Sequence, residues 1–369
     1  MSSEGKELTL DQQSRWIEET KSWYISDELM EYLDLSLTVT VHGIFSVAGV
    51  MSNIVNVVIF VKLGLKDSMS IGLLTLSLTD LAVTALQLAS SLSYMVKLIY
   101  ESSPLDPWLF GGYFFSWSRY VAYLISCWIT TVISVERCFC VVYPFTVRQM
   151  FTRSRCVAVL LAICVTHVGV HLPVFIYAKL EWVEQSPPQF VGNDTWLSGR
   201  CVFTVIFNKD SAMWEILSDM IAGISLSVIS QLILIICTVW MIYSLKASSK
   251  IRQQSETGHG NDSLKASKEG KTEVLSNKER RLVKVVLFMA INLSACNIPR
   301  FVTIAVHHIL PGMNLGAYQN LDTLFWEISY LFGTICCTTN TLVYYTLNTK
   351  YRSLLKQMLL KRHGNTSDS

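Results

Sequence analysis

The chain has 369 residues, 51% of them hydrophobic and 16% charged, with 30 Lys and Arg against 28 Asp and Glu. A mean hydropathy of +0.38 excludes an ordinary soluble domain. The net charge of +2 says little by itself, its distribution along the chain says more, and no nucleic-acid partner is expected.

A bilayer core of about 30 Å takes roughly 20 mostly apolar residues per helix. Seven stretches meet that length, near 37–62, 71–98, 109–142, 157–178, 213–245, 282–309 and 321–347. A span must satisfy its backbone internally, so each is expected to be a helix. The fold class that follows is an all-α membrane protein, a seven-transmembrane helix bundle with a C-terminal amphipathic surface helix. Residues 1–36 form an outer tail, 37–347 the bundle, and 348–369 the surface helix with a short inner tail. No separate globular domain fits, and no cleavable leader is expected, because the first 36 residues are polar.

In chain order, the tail is acidic, with Glu18, Glu19, Asp27, Glu28, Glu31 and Asp34. Span two carries Asp80 at mid-membrane depth, where an acid is a functional hypothesis by default. Ser126, Asn297 and Asn340 from other spans are its expected polar neighbours, and together they would hold a sodium ion or a proton. A neutral, hydrogen-bonded Asp80 is the plainer alternative.

Span three ends in SVERCFCVVYPF, residues 134 to 145. Glu136 and Arg137 are chain neighbours and do not share a helix face, so Arg137 is free to turn inward toward a second acid. Glu279, at the inner start of span six, supplies one. A pair between Arg137 and Glu279 would clamp two inner helix ends, and its release would open a cavity for a partner. A solvated charge cluster is the alternative. Arg119 lies five helical turns before Arg137 on the same face, roughly 27 Å further out.

The outer loop after span four contains Asn193-Asp194-Thr195, a glycosylation sequon on the expected outer face. Of ten cysteines only Cys201 falls in an outer loop, so it stays free or pairs between chains. The third inner loop, about 246–280, is rich in Ser, Lys, Gly and Glu and cannot bury a core.

Pro299 interrupts span six and kinks it. Arg300 follows in its outer half, and Glu327 stands in the outer part of span seven. Arg119, Arg300 and Glu327, with Tyr123 and Trp326 among the lining aromatics, form the expected ligand pocket. Two cations and one acid favour a carboxylate or other anion. The alternative is an Arg300–Glu327 structural pair with Arg119 reaching toward the interface. After span seven, Tyr351, Leu354, Leu355, Met358 and Leu359 recur at helical spacing among lysines and arginines, as in a helix lying on the inner leaflet.

The inner connections are basic, with Arg148, Arg153, Arg155, Lys246, Lys250, Arg252, Lys278, Arg280 and Arg281, whereas the link between spans six and seven has neither Lys nor Arg. That asymmetry places the N-terminus outside and the C-terminus in the cytoplasm, with the plasma membrane as the expected site. No phosphate-binding loop, dinucleotide turn or Cys/His cluster occurs, so neither an enzyme nor a resident cofactor is expected, apart from a sodium ion near Asp80.

These residues, in this order, resemble the rhodopsin-like (class A) G-protein-coupled receptors over about residues 37–362. Asn53 matches the first-span asparagine, Asp80 the second-span acid, and Glu136-Arg137-Cys138 the acid-Arg-aromatic triplet. Pro144 and Phe145 match the inner loop that docks on the G protein. Cys296 and Pro299 match the sixth-span motif, Asn340 through Tyr344 the seventh-span motif, and Tyr351 the start of the surface helix. The family's third-span cysteine would fall near Gly112 and is absent, as are the fourth-span tryptophan and the fifth-span proline. Asn297 stands where the family has a tryptophan, and Thr341 where it has a proline. The combination resembles divergent invertebrate candidate chemosensory receptors and FMRFamide-type peptide receptors. The resemblance implies a chemosensory small molecule or neuropeptide as ligand. It also implies a heterotrimeric G protein as partner, arrestin and a receptor kinase as further partners, and the lipid bilayer as surroundings. A non-signalling decoy receptor, or a transporter or channel, is the alternative.

Overall fold

The structure is a computed structural model that describes residues 25–65, 67–100, 111–143, 150–186, 189–191, 195–197, 200–206, 209–257, 277–310 and 318–366. Phe145 and Asn193 lie outside the described residues, as does the side chain of Glu279.

Span one is longer than its apolar stretch. Its helix starts at Asp27, where the Ser26 side chain accepts from the Leu29 amide and satisfies an otherwise orphaned donor. It runs through Asp27–Asp34, a π-helical segment at Leu35–Val41, and His42–Leu63. Gly64 then ends it at φ 82°, a conformation that costs a glycine little. The last four acids of the tail, which the sequence reads as partly helix-capable, therefore stand on a helix.

Span two is Ser68–Ile99, capped by the Asp67 carboxylate on the Ser70 amide at 2.9 Å. Span three is Trp117–Val142, entered through a π-helical segment at Gly112–Ser116. Span four is Arg153–Tyr177, capped by Thr152. Span five joins Lys209–Ser218 and Ser227–Thr257 across a π-helical segment at Asp219–Leu226. Span six is Asn277–Ile309 with Pro299 inside it, span seven is Gln319–Leu347, and the surface helix is Thr349–Thr366.

Among the described residues six of these spans are long and apolar enough to cross a membrane by length and composition. Span seven is as long but more polar, because its inward face carries Ser329, Thr334 and Asn340, all buried. It packs along spans six and one. Outward faces are apolar and bare: Val157, Leu161, Val165, Val168, Leu172 and Ile176 are all exposed on span four, as lipid contact requires.

The inner half of the bundle is a continuous apolar core in which Ile59, Leu76, Ile129, Ile133, Met241, Val286 and Met289 are buried with Tyr344 and Tyr351. Tyr351, Leu354, Leu355 and Met358 of the surface helix pack against this core. Only Leu359 of the expected stripe, with its neighbour Leu360, is left exposed to meet lipid. The sequence reading gave the whole stripe to the membrane. Packing against spans one and seven takes most of it instead.

The outer loop between spans four and five is a hairpin. β1 (Lys179–Ser186) pairs antiparallel with β4 (Arg200–Ile206), and a smaller pair, β2 (Gln189–Val191) with β3 (Thr195–Leu197), lies between them in sequence. Val205 of β4 is buried with Tyr113 and Val174, and the Tyr113 hydroxyl donates to the Val174 carbonyl. Cys201 is exposed on β4 and forms no disulfide. Ladder hydrogen bonds and the buried Val202 and Val205 seat this loop.

Candidate functional site

Polar groups inside the bundle fall on three levels. At the inner end of span three, Glu136 is buried and its Oε1 accepts from Arg137 Nη2 at 2.6 Å and from Ser68 Oγ at 2.5 Å. Adjacent residues do not share a helix face, yet the long Arg137 side chain folds back onto its neighbour. Its Nε has no hydrogen-bond partner among the described residues. Nearby, a cavity of about 330 Å³ is bounded by spans one, two, six and seven and the start of the surface helix, with Asp67, Arg281 and Lys350 on its walls.

At mid-depth, Ser126 donates to Asp80 Oδ1 at 2.6 Å and Asn340 donates to Oδ2 at 2.8 Å. Asp80 is buried, so both carboxylate oxygens are satisfied in protein. Carboxylate and hydroxyl oxygens of Asp80 and Ser126 suit a hard monovalent cation such as sodium. Asn340 presents N–H to this point and would have to turn its amide to join.

Asn297 is not in this group. It accepts from the Tyr123 hydroxyl at 2.7 Å and donates to Gln231 at 3.1 Å, and Gln231 donates on to Ser294 at 2.7 Å. This chain ties spans three, five and six, and one helical turn on from Ser294 the proline kink at Pro299 begins. Asn53 donates to the Cys337 carbonyl at 3.1 Å. Asn56 donates to Thr341 at 2.8 Å and accepts from Tyr351 at 2.6 Å. Thr341, standing in place of a proline, thus becomes a contact between spans one and seven. The Tyr344 ring meets Phe60 edge-on at 5.1 Å, and its buried hydroxyl makes no hydrogen bond among the described residues.

The outer level holds both arginines, each 4% exposed. The Arg119 guanidinium lies 3.9 Å from the centroid of the Tyr330 ring. Arg300 donates to the Gly223 carbonyl at 2.6 Å and to the Tyr120 hydroxyl at 3.1 Å, and Tyr120 donates to Asp219 at 2.6 Å. Arg300 and Glu327 therefore do not pair. Glu327 instead lies 3.4 Å from Nε2 of His42, a fully buried histidine of span one.

Above the arginines opens a cleft of about 440 Å³. Gly112, Ser116, Trp117 and Tyr120 come from span three, Glu215, Ile216 and Asp219 from span five, His307 from span six, and Trp326 and Tyr330 from span seven. Trp326 thus lines it as expected. Arg119, Arg300, Tyr123 and Glu327 do not. Asp219 and His42 were missed in the sequence, although each is an ionisable residue inside a span and the rule that singled out Asp80 applies to both.

Residues 52–344 match the model of the 7 transmembrane receptor (rhodopsin family). The chain belongs to that family. The match begins beside Asn53 and ends on Tyr344, so it takes in Asp80, Glu136, Arg137 and the residues that line the outer cleft, and leaves out His42 and Tyr351. Rhodopsin-family members are multi-pass membrane receptors, not enzymes, and signalling through a G protein in response to an extracellular ligand is the family's function. No curated protein sequence matches the chain.

Proposed function

We propose that this receptor sits in the plasma membrane, N-terminus outside and C-terminus in the cytoplasm. There it binds a chemosensory small molecule or neuropeptide at the outer cleft and activates a heterotrimeric G protein. Release of Arg137 from its acid partner is the step that opens the inner face. The observation that carries this reading is the Glu136–Arg137 pair, 2.6 Å apart at the inner end of a span whose outer end lines the cleft. A buried ion pair with a two-position cation is a bistable element of the kind switching requires.

Ligand binding shifts the population toward the open state by its differential affinity for that state. The polar chain Tyr123–Asn297–Gln231 takes the place of the sixth-span tryptophan in linking outer to inner halves. Asp80 with Ser126 binds sodium in the resting state. Phe145 docks on the G protein, Asn193 carries a glycan, and arrestin and a receptor kinase end the signal. The motif set SVERCFCVVYPF, CNIP and NTxxY supports placement among divergent invertebrate receptors. Measuring G-protein activation in cells that express the chain tests the reading. Arg137→Ala is expected to abolish activation at unchanged surface level, and activation that persists in that variant would reject the switch.

A further inference from the structure

The two arginines of the outer half point to an anionic ligand in the sequence, but the structure places them behind the cleft wall. Neither is among the lining residues. Each is already engaged from behind by one of the cleft's own aromatic rings, Arg119 by Tyr330 at 3.9 Å and Arg300 by Tyr120 at 5.2 Å.

What faces the cleft is of the opposite sign. Glu215 and Asp219 stand four residues apart on span five, both partly exposed and both lining. Asp219 uses Oδ1 to accept from Tyr120, and the Glu215 carboxylate makes no hydrogen bond or ion pair among the described residues. The lining imidazole of His307 is already taken by Asp322 at 2.9 Å. The cleft is also lined by Trp326 and Tyr330, with ring centroids 5.9 Å apart, and by Trp117 and Tyr120, with centroids 5.8 Å apart. Aromatic faces attract cations through their quadrupole, most strongly where water is excluded. A carboxylate with no partner in such a site is a cost that a cation or a proton removes, and the aromatic walls favour the cation.

We infer that the cleft holds a guanidinium or ammonium group of the ligand between the aromatic walls and the carboxylates of Glu215 and Asp219. The group is either a small organic cation or a basic side chain of a peptide. The volume suits one such group with a modest apolar neighbour. The inference rests on the receptor reading only for the sidedness of the cleft.

The test uses the full chain purified in lipid nanodiscs without G protein, with thermal stabilisation as readout. The small probe is 2-phenylethylguanidinium, set against 3-phenylpropanoate of similar size. The peptide probe is acetyl-Gly-Arg-Gly-amide, set against its citrulline isostere. Saturable stabilisation is expected from at least one guanidinium probe and from neither counterpart, and the probe that succeeds identifies the source. Glu215→Gln and Asp219→Asn are each expected to weaken that binding about tenfold or more, the effect of losing one charged hydrogen bond. Asn at 219 keeps an acceptor for Tyr120, and the unliganded melting midpoint of each variant checks its fold. Stabilisation by the propanoate alone, cation binding unchanged in both variants, or no saturable effect of either guanidinium probe would overturn the inference. Because no G protein is present, failure here with coupling intact rejects the cation alone, and cation binding without coupling rejects the receptor reading alone.

Discussion

Arg300 reaches to 2.6 Å from the carbonyl oxygen of Gly223, across the gap between spans six and five. Gly223 lies within the π-helical segment Asp219–Leu226, where the turn is wider than in an α-helix. Span five lacks the family's proline, and a cation of span six donates to a carbonyl within its π-helical segment. Gly223 is required there for a steric reason. A Cβ at this position would run into the Asp219 carboxylate and the Tyr120 hydroxyl.

Gly223→Ala is therefore expected to destabilise the receptor by about 1–3 kcal/mol through overpacking, and to displace Asp219 from Tyr120. A lower melting midpoint of the purified chain is the measurement. A midpoint equal to that of the unmodified chain would show that span five does not approach span three as closely as described.

At the inner end, Glu136→Gln keeps an acceptor for Ser68 but removes the charge that holds Arg137. Ligand-independent G-protein activation is expected to rise. Arg137 Nε has no described partner, which leaves donor capacity for the acid expected at Glu279. Glu279→Ala is expected to raise basal activation as well. Unchanged basal activity in both variants, at equal surface level, would remove the lock.

The architecture was legible in the sequence because membrane spans leave a long-wave hydropathy signal. The contact of Arg137 was not, because its long side chain folds back onto Glu136, and the side chain of the acid expected to hold it, Glu279, lies outside the described residues. The surroundings of Asp80 were half legible. Ser126 and Asn340 meet it, but Asn297 turns to Tyr123, because the rotation of span six about its axis is set by packing that single-residue polarity does not encode. The outer level was the least legible. Arg119 and Arg300 were placed at the correct depth, and their burial under Tyr330 and Tyr120 depends on side-chain packing across three helices. Of the two acids that line the cleft, Asp219 sits in a π-helical segment, which shifts helical phase and leaves no periodic signature.

Tyr351 fixes the surface helix to the bundle. It is fully buried and donates to Asn56, which in turn holds Thr341 of span seven. Tyr351→Phe keeps the ring packing on Phe60 and Tyr344 and deletes one buried hydrogen bond, an expected loss of about 1 kcal/mol. Asn56→Ala severs both contacts and is expected to cost more. In a double-mutant cycle the two changes are expected to be non-additive, since they share one bond. Additive losses would mean that Asn56 and Tyr351 act independently.

Asp80 tests the mid-level most directly. Its two carboxylate oxygens each accept one hydrogen bond, from Ser126 and Asn340, and neither donor carries a charge. A buried anion with no cationic partner is costly unless it binds a cation or a proton. A sodium ion held by Asp80 and Ser126 would bind the resting arrangement and stabilise it by mass action. Raising sodium at constant ionic strength, with a bulky organic cation as replacement, is then expected to raise the melting midpoint of the unmodified chain. Asp80→Asn should be indifferent to sodium, and Ser126→Ala should require more of it. If the midpoint of the unmodified chain ignores sodium but rises as pH falls, Asp80 takes a proton instead of the ion.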